Sequence, residues 1–227
     1  MYFDYYYLVL VLPTVLLSLI AQIMVKSTFA KYSKISCSRN LTGADAASYL
    51  LRVNSIQNVR IERVGGSLTD HYDPGSRVLR LSQPVYGQPS IAAVGVAAHE
   101  TGHAIQHAVH YGPLALRSTL VPVANIGSSF GPILAVAGIF FSLPFLIDLG
   151  IILFGCAVLF YLVTLPVEFN ASARAIAILR KNRVLSDAEL AGVRKVLTAA
   201  ALTYVASALT ALMSLLRLVL ISRSRRR

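Results

Sequence analysis

Two histidines and a glutamate stand at the spacing of a zinc-binding helix near the middle of the chain. Residues 97–104 read Ala-Ala-His-Glu-Thr-Gly-His-Ala, which contains the pattern H-E-x-x-H. Because residues four apart lie on one helix face, His99 and His103 can each offer an imidazole nitrogen to one Zn²⁺. Glu100 directly follows His99 and can take a proton from a water on that metal. The pattern predicts peptide-bond hydrolysis with one zinc ion and no covalent intermediate.

Chance is a poor explanation for this pattern. The chain has 5 histidines, and they fall in two places, at His71 and in a run from His99 to His110. Residues 91–98 are small and apolar, and a charged Glu100 in such a helix is costly without a polar partner or a metal. The context therefore favours a zinc hydrolase.

A catalytic zinc site needs a third protein ligand, and Glu168 is the best candidate. It is the first charged residue after a long uncharged stretch, and it follows Pro166, which suits the first turn of a new helix. The rival ligands Asp70 and Asp73 lie in a loop rich in Gly and Pro, where turn roles fit them better. The expected ligand set is therefore completed by Glu168.

Four further residues are candidates for supporting the ligands or stabilising the transition state. His71 and Tyr72 lie on the long loop, and either can donate a hydrogen bond to a tetrahedral intermediate. His107 repeats the four-residue spacing, but one helix cannot readily place three successive turns around one ion, so we expect a packing or supporting role. Arg174 can stabilise the intermediate or pair with Glu168.

The composition is that of a membrane protein. Of the 227 residues, 56% are hydrophobic and 14% are charged, against roughly 25% charged in an ordinary soluble domain. Uncharged runs cover residues 8–25, 118–147 and 149–167, each near the length that crosses a bilayer as a helix. The net charge of +11 comes largely from Lys and Arg beside these runs and at the tail. Anionic lipid explains that placement, so we expect a lipid bilayer and no nucleic acid as partner.

The apolar runs and their flanking charges divide the chain into five predicted segments. They are an N-terminal transmembrane anchor (1–25), a cytoplasmic α+β catalytic region (26–117), a transmembrane hairpin (118–167), a cytoplasmic helical segment with the third zinc ligand (168–195), and a hydrophobic C-terminal segment with a basic tail (196–227). Lys and Arg follow the first run and the hairpin, which predicts an active site on the cytoplasmic side of a plasma membrane.

The last apolar stretch does not obey this charge rule. A simple fourth crossing by residues 196–216 would place the basic tail outside the cell. A re-entrant hairpin and packing on the polar region are both alternatives.

The transmembrane hairpin of residues 118–167 should bring Glu168 to the histidine helix. Pro144 and Asp148 suit its outer turn. The hairpin then returns the chain to the side it left, where Glu168 can meet the histidine helix.

The polar region has the periodicities of a small α+β unit. Thr42 can cap a helix over residues 43–54, and Ser90 can cap the histidine helix, which should extend to residue 108. Residues 59–64 and 77–81 alternate as strands on either side of the long loop, which predicts a hairpin. The second of these strands could be an edge that pairs with an extended substrate.

Four stretches of the sequence resemble the bacterial YugP-type neutral zinc metallopeptidases. They are KSTFAKYS at 26–33, GSLTDHYDP at 66–74, AAVGVAAHE at 92–100 and LPVEFNAS at 165–172. More distantly, the order of histidine motif, apolar hairpin and returning glutamate is similar to the membrane gluzincins of the HtpX and CAAX-prenyl-protease type. The resemblance implies a mainly α membrane protein with transmembrane helices and a small α+β zincin-like catalytic domain. It also implies zinc held by His99, His103 and Glu168, with Glu100 as the base.

One position departs from the gluzincin pattern. Gluzincins often carry an aspartate four residues after the ligand glutamate, where it orients a zinc histidine, and this chain has Ser172 there. A serine can accept the same hydrogen bond more weakly. We therefore expect Ser172 to orient a ligand histidine.

The leading hypothesis is a membrane-embedded zinc endopeptidase that cleaves membrane or membrane-proximal proteins. The alternative is a zinc-stabilised membrane adaptor or chaperone that does not cleave, and Glu100 favours the enzyme because a structural zinc site needs no base. A transporter is disfavoured, since the apolar runs carry almost no ionisable residue.

Overall fold

The computed structural model describes residues 5–225, with side chains described up to residue 224. It is mainly helical, with one small sheet. After a π-helical segment at Tyr7–Val11, the elements are α1 (Leu12–Tyr32), α2 (Gly43–Val53), β1 (Arg60–Val64), β2 (His71–Asp73), β3 (Val78–Ser82), α3 (Gln83–Tyr86), α4 (Ile91–Ala108), α5 (Gly112–Phe140), α6 (Pro144–Lys181) and α7 (Asp187–Arg225).

Four helical segments within the described residues are long and apolar enough to cross a membrane. They are Tyr7–Tyr32, Gly112–Phe140, Pro144–Lys181 and Asp187–Ser224. Their mean hydropathy lies between 1.6 and 2.5. The expectation of a mainly α protein with membrane-length helices is therefore confirmed.

The chain divides into two compact units, and the first consists of apolar helices. This apolar unit comprises Met1–Gln22, Ala115–Pro166 and Leu202–Arg227. Helices α5 and α6 approach closely at glycines, since a Cβ built on Gly131 would lie 2.8 Å from the Cβ of Phe154. Small residues allow such close backbone packing in membrane helices. The buried side chains beside this contact are Ala135, Phe154, Ala157, Val158, Ala211 and Leu218.

Three sequence expectations for the long helices need correction. Pro144 begins α6, but Asp148 lies inside that helix and not in the preceding turn. Helix α6 also continues through Pro166, where we expected a new helix, because proline removes one backbone donor and long apolar helices tolerate that loss. Helix α7 runs unbroken to Arg225, so the re-entrant hairpin is wrong. Its residues beyond Gly192 include neither glycine nor proline to break it.

The second unit, here called the polar unit, comprises Ile23–Leu114 and Val167–Ala201 and contains the sheet. The strand order is β1-β3-β2, with β1 parallel and β2 antiparallel to β3. The expected hairpin of β1 with β3 is therefore wrong, because the intervening loop supplies β2 as the antiparallel partner. Strand β3 is also the central strand, with Val78, Leu79 and Leu81 fully buried. It is not the edge that was expected to pair with a substrate.

Helices α2 and α4 begin where the sequence predicts. The Thr42 hydroxyl accepts from the backbone N–H of Asp45, and the Asp45 carboxylate accepts from the backbone N–H of Thr42, which completes a capping box for α2. The Ser90 hydroxyl accepts from the N–H of Ala93 at 3.1 Å and caps α4. Most of α4 is buried in the polar unit. The histidine motif therefore lies on a helix that is held at its start and packed along its length.

Candidate metal centre

A glycine inside the histidine motif brings α4 against the C-terminal part of α6. A Cβ built on Gly102 would lie 2.6 Å from the carbonyl oxygen of Ala171. Because glycine has no Cβ, the two backbones can approach at this point. The contact places the side chains of α4 next to those that follow Val167 on α6.

Three side chains meet at this contact. The Nε2 atom of His99 lies 3.2 Å from Oε2 of Glu168, and the Nε2 atom of His103 lies 3.6 Å from the same oxygen. One ligand atom from each residue lies within 4.8 Å of the other two. Glu168 is 2% exposed and both histidines are below 10%. Two imidazole nitrogens and one carboxylate are the donors that zinc binds in hydrolytic sites.

The charges around His103 favour a cation. Burial alone would lower the pKa of the His103 imidazole, but the carboxylates of Glu168 and Glu100 outweigh burial and raise that pKa. The position between the imidazoles therefore has a negative potential. A divalent cation fits this donor set, and the structure brings together the three residues expected as ligands.

The rival carboxylates have structural roles elsewhere in the polar unit. Asp70 accepts from the backbone N–H and the hydroxyl of Ser82, at 2.7 and 2.8 Å. Asp73 accepts from Ser76 and lies 3.3 Å from a guanidinium nitrogen of Arg80. Both therefore hold the β2–β3 hairpin together, as their turn-like sequence context suggests.

Gln106 orients His103 and was missed in the sequence. Its amide nitrogen donates to the carbonyl of Val167 at 2.8 Å and to Oδ1 of Asn170 at 3.0 Å. The amide oxygen of Gln106 must then accept from Nδ1 of His103, 3.0 Å away. Nδ1 therefore carries a proton, which leaves Nε2 as the ring nitrogen that faces Glu168 and could bind a metal. The signal available in the sequence was a glutamine in a largely apolar helix, three residues after His103, and the structure buries it fully.

Ser172 and Arg174 also lie in this network. The Ser172 hydroxyl is 3.1 Å from Nδ1 of His99, the position expected for a residue that orients this histidine. Arg174 donates from Nε to Oδ1 of Asn170 at 2.7 Å, and its guanidinium carbon lies 6.0 Å from the ring centroid of Tyr111. Arg174 thus fixes Asn170, whose Oδ1 also accepts from the amide nitrogen of Gln106.

The remaining candidates, Glu100, Tyr72, His107 and His71, lie at three different places in the polar unit. Glu100 lies on α4 and is 7% exposed, close enough for its charge to act on His103. The hydroxyl of Tyr72 lies 2.8 Å from Nδ1 of His107, so β2 contacts the last turns of α4. His71 is exposed, and its ring contacts the carbonyl of Thr69 and the guanidinium of Arg80. The structure therefore places His71 on the surface of the sheet, with neither contact coming from α4.

Known proteins resemble this chain along nearly its whole length. The family described as "Putative neutral zinc metallopeptidase" matches residues 7–223. The curated relative "Putative membrane protease YugP" of Bacillus subtilis (strain 168) is 53% identical over 205 residues, which cover 90% of this chain and 91% of the relative. No solved structure gives a significant match. The resemblance carried by the four sequence stretches is thereby confirmed.

Proposed function

Because this chain belongs to the neutral zinc metallopeptidase family, we propose that it is a membrane-embedded endopeptidase with one Zn²⁺ held by His99, His103 and Glu168. The family and the membrane-length helices support a membrane protease in general terms. The observation that carries the site is the approach of both imidazole Nε2 atoms to one buried carboxylate oxygen of Glu168, at 3.2 and 3.6 Å.

A zinc ion held by these three residues would supply the Lewis acid of this reaction. When bound, it would polarise the scissile carbonyl and lower the pKa of a water molecule toward about 7. Gln106 holds the tautomer of His103 in which Nε2 has a free lone pair, and the Ser172 hydroxyl holds His99 through its Nδ1. The two histidines are thus set for metal binding by hydrogen bonds from their far sides.

Glu100 is the general base in this proposal. The attacking water adds its oxygen to the carbonyl carbon of the peptide bond while Glu100 takes one of its protons. The carbon–nitrogen bond then breaks as Glu100 passes that proton to the amine nitrogen. The products are a carboxyl group and an amine, and no bond forms between the substrate and a protein side chain.

The edge of β2 is the proposed position for the substrate backbone. Within the described sheet, β2 pairs with β3 on one side, so its other side is an edge. Its Tyr72 contacts His107 on α4. An extended peptide that adds to this edge would therefore lie alongside the helix that carries the ligands.

The location of the site is part of the same proposal. Lys26, Lys31 and Lys34 follow the apolar part of α1, and further Lys and Arg follow that of α6. By the positive-inside rule the polar unit lies in the cytoplasm of a bacterial cell, with membrane or membrane-proximal proteins as substrates. The five-segment organisation, with its anchor and catalytic region, stays a prediction. In a cysteine-free background, Ser67→Cys should resist impermeant thiol reagents applied outside, and rapid labelling would place the polar unit outside.

Comparison of the wild-type protein with Glu100→Gln tests the function. The full chain is purified in detergent, and its zinc content and casein cleavage are measured. We expect about one zinc per chain in both proteins and cleavage at least about 100-fold slower in Glu100→Gln, since a general base contributes that much. Glu62→Gln, on the exposed edge strand β1, is the matched control and should cleave like the wild type. Equal cleavage by the wild type and Glu100→Gln would contradict the proposal, and zinc binding with no cleavage by any variant is the outcome that the adaptor alternative predicts.

A further inference from the structure

A polar cavity of about 290 Å³ lies beside the end of α4 in the polar unit. Its wall is formed by the segment that follows α2, by the β2–β3 hairpin and by the last turns of α4. The polar side chains that line it are Ser55, Asn58, Tyr72, Arg77, His107 and His110. Its volume is near the lower end of ligand pockets and suits a single side chain or chain end better than a large cofactor.

The polar side chains of this wall can all donate hydrogen bonds, and one of them is the cation Arg77. No aspartate or glutamate lines it among the described side chains of residues 5–224. Arg77 is exposed, and within the same residues its guanidinium has neither an ion pair nor a hydrogen bond to a side chain. The neighbouring arginine of β3, Arg80, instead lies 3.3 Å from Asp73 and 3.6 Å from Glu62. Arg77 is therefore the charged side chain that the described wall of the cavity offers to a ligand.

The Tyr72–His107 pair leaves one hydrogen for a ligand, whichever of the two side chains donates in the hydrogen bond between them. If the Tyr72 hydroxyl donates to Nδ1 of His107, the other ring nitrogen carries a hydrogen that is available to a ligand. If Nδ1 donates instead, the hydroxyl hydrogen is available. In both cases one hydrogen of the pair remains for a ligand, in a cavity that Arg77 also lines. An acceptor with a negative charge matches these walls.

The cavity lies close to the proposed metal centre along α4. Ala104 lines it and directly follows His103, and His107 lies one helical turn further, about 6 Å along the helix axis. An extended peptide advances about 3.4 Å per residue. A group bound in the cavity would therefore belong to a residue about two positions from the scissile bond.

We propose that this cavity is a substrate subsite that binds a peptide carboxylate through Arg77 and the Tyr72–His107 pair. The proposal rests on the peptidase function and adds the substrate class, which is a peptide with an acidic side chain or a free C-terminus near the cleaved bond. Arg77 forms the ion pair with this carboxylate, and the Tyr72–His107 pair donates to it.

Binding of four matched peptides to the zinc-loaded Glu100→Gln protein in neutral detergent tests this subsite. The fluorescent peptides share one sequence, with either Glu or Gln at the central position and either a free acid or an amide at the C-terminus. The Kd values are measured by fluorescence anisotropy. We expect one of the two carboxylates to tighten binding about tenfold over its neutral counterpart, and the pair that differs identifies which carboxylate binds.

Substitution of Arg77 locates this preference in the cavity. In the Glu100→Gln background, Arg77→Gln should remove the tenfold difference, Arg77→Lys should keep part of it, and Arg63→Gln on the exposed side of β1 should leave it unchanged. Melting temperatures equal to that of the parent exclude misfolding as the cause of a loss. The proposal would be overturned if acidic and neutral peptides bind with equal Kd values. It would also be overturned if the preference for an acidic peptide persists in Arg77→Gln.

Three further outcomes separate this subsite from its rivals and from the proposed function. Arg77-dependent binding of phosphatidylglycerol micelles, without a peptide preference, would assign the cavity to a lipid phosphate and overturn the proposal. Because the readout is binding and does not depend on cleavage, absence of casein cleavage by the wild type would contradict the peptidase and leave an acid preference intact. If the wild type cleaves casein, but Arg77→Gln in the Glu100→Gln background binds all four peptides like its parent, the subsite is contradicted and the peptidase function is not.

Discussion

The apolar unit and the polar unit hold their helices together by different means. In the apolar unit, α5 and α6 approach through glycines such as Gly131 and Gly150, with apolar side chains around them. In the polar unit, α4 and α6 also approach through a glycine, Gly102, but the side chains around that contact include the buried, ionisable Glu168 and His103.

This difference indicates what each contact needs in order to be stable. Apolar contacts between helices need only shape, whereas a buried carboxylate is costly unless it has partners. The partners of Glu168 include two imidazoles, whose far sides are in turn fixed by Gln106 and Ser172. The stability of the polar unit should therefore depend on a metal, and that of the apolar unit should not.

Loss of the carboxylate ligand should have the largest effect. With Glu168→Ala we expect zinc to be absent after dialysis and casein cleavage to fall below detection. For the wild type, zinc removal by a chelator should lower the free energy of unfolding by about 4 kcal/mol relative to protein with free zinc at 1,000 times its Kd. Thermal unfolding with and without zinc measures this, and zinc should not shift the unfolding of Glu168→Ala. A zinc-dependent shift that persists in Glu168→Ala would show that the metal binds elsewhere.

One substitution made in both units compares the two contacts directly. A Cβ at Gly102 would lie 2.6 Å from the carbonyl oxygen of Ala171, and a Cβ at Gly131 would lie 2.8 Å from the Cβ of Phe154. Gly102→Ala and Gly131→Ala should each destabilise the protein by about 1–3 kcal/mol, as overpacking does. We expect Gly102→Ala also to weaken zinc binding, because it separates α4 from α6 at the ligands, and Gly131→Ala to leave it unchanged. Zinc titration of the two variants decides between these outcomes, and equal zinc affinities would remove the distinction between the contacts.

The hydrogen bond behind His103 should have a smaller effect. Gln106→Leu removes the acceptor for Nδ1 of His103, so the proton is no longer held on that nitrogen. We expect zinc affinity to fall about 10- to 100-fold, the usual cost of losing such a partner. The visible spectrum of the cobalt-substituted protein reports the change in ligand geometry independently of activity. The matched control is Gln57→Leu, at an exposed glutamine after α2, and a similar loss of affinity there would show that the effect is not specific to the network.

Acid should produce the smallest effect, confined to the β2–β3 hairpin of the polar unit. Hydrogen bonds from Ser76 and Gly75 and the nearby Arg80 lower the pKa of Asp73 to about 2. Because this folded-state pKa lies below the usual value of about 3.9, the stability from Asp73 is present above pH 4 and is lost as the pH falls toward 2. Amide hydrogen exchange of the hairpin in zinc-free protein should show this loss, reduced by the exposure of the group. Asp73→Asn should remove the pH dependence, and an unchanged profile would assign it to other carboxylates.

Several features followed from short-range patterns in the chain. The cap at Ser90, the helical spacing of His99 and His103 and the apolar runs depend on interactions within a few residues, so they could be read without knowledge of the fold. The ligand role of Glu168 was predicted from its position after the uncharged hairpin. The structure brings its carboxylate to the two histidines, while the metal itself stays a proposal.

Other features depend on contacts between distant parts of the chain. The parallel pairing of β1 with β3 arises because β2 occupies the antiparallel position, and nothing in the alternation of residues 59–64 distinguishes the two pairings. The role of Gln106 depends on acceptors at Val167 and Asn170, which lie 61 and 64 residues away in sequence. Sequence by itself determined which residues could bind a metal, because their chemistry and helical spacing are local. The tertiary structure decided how each proposed ligand is oriented, because α6 supplies both Ser172 behind His99 and the two acceptors that hold Gln106 behind His103.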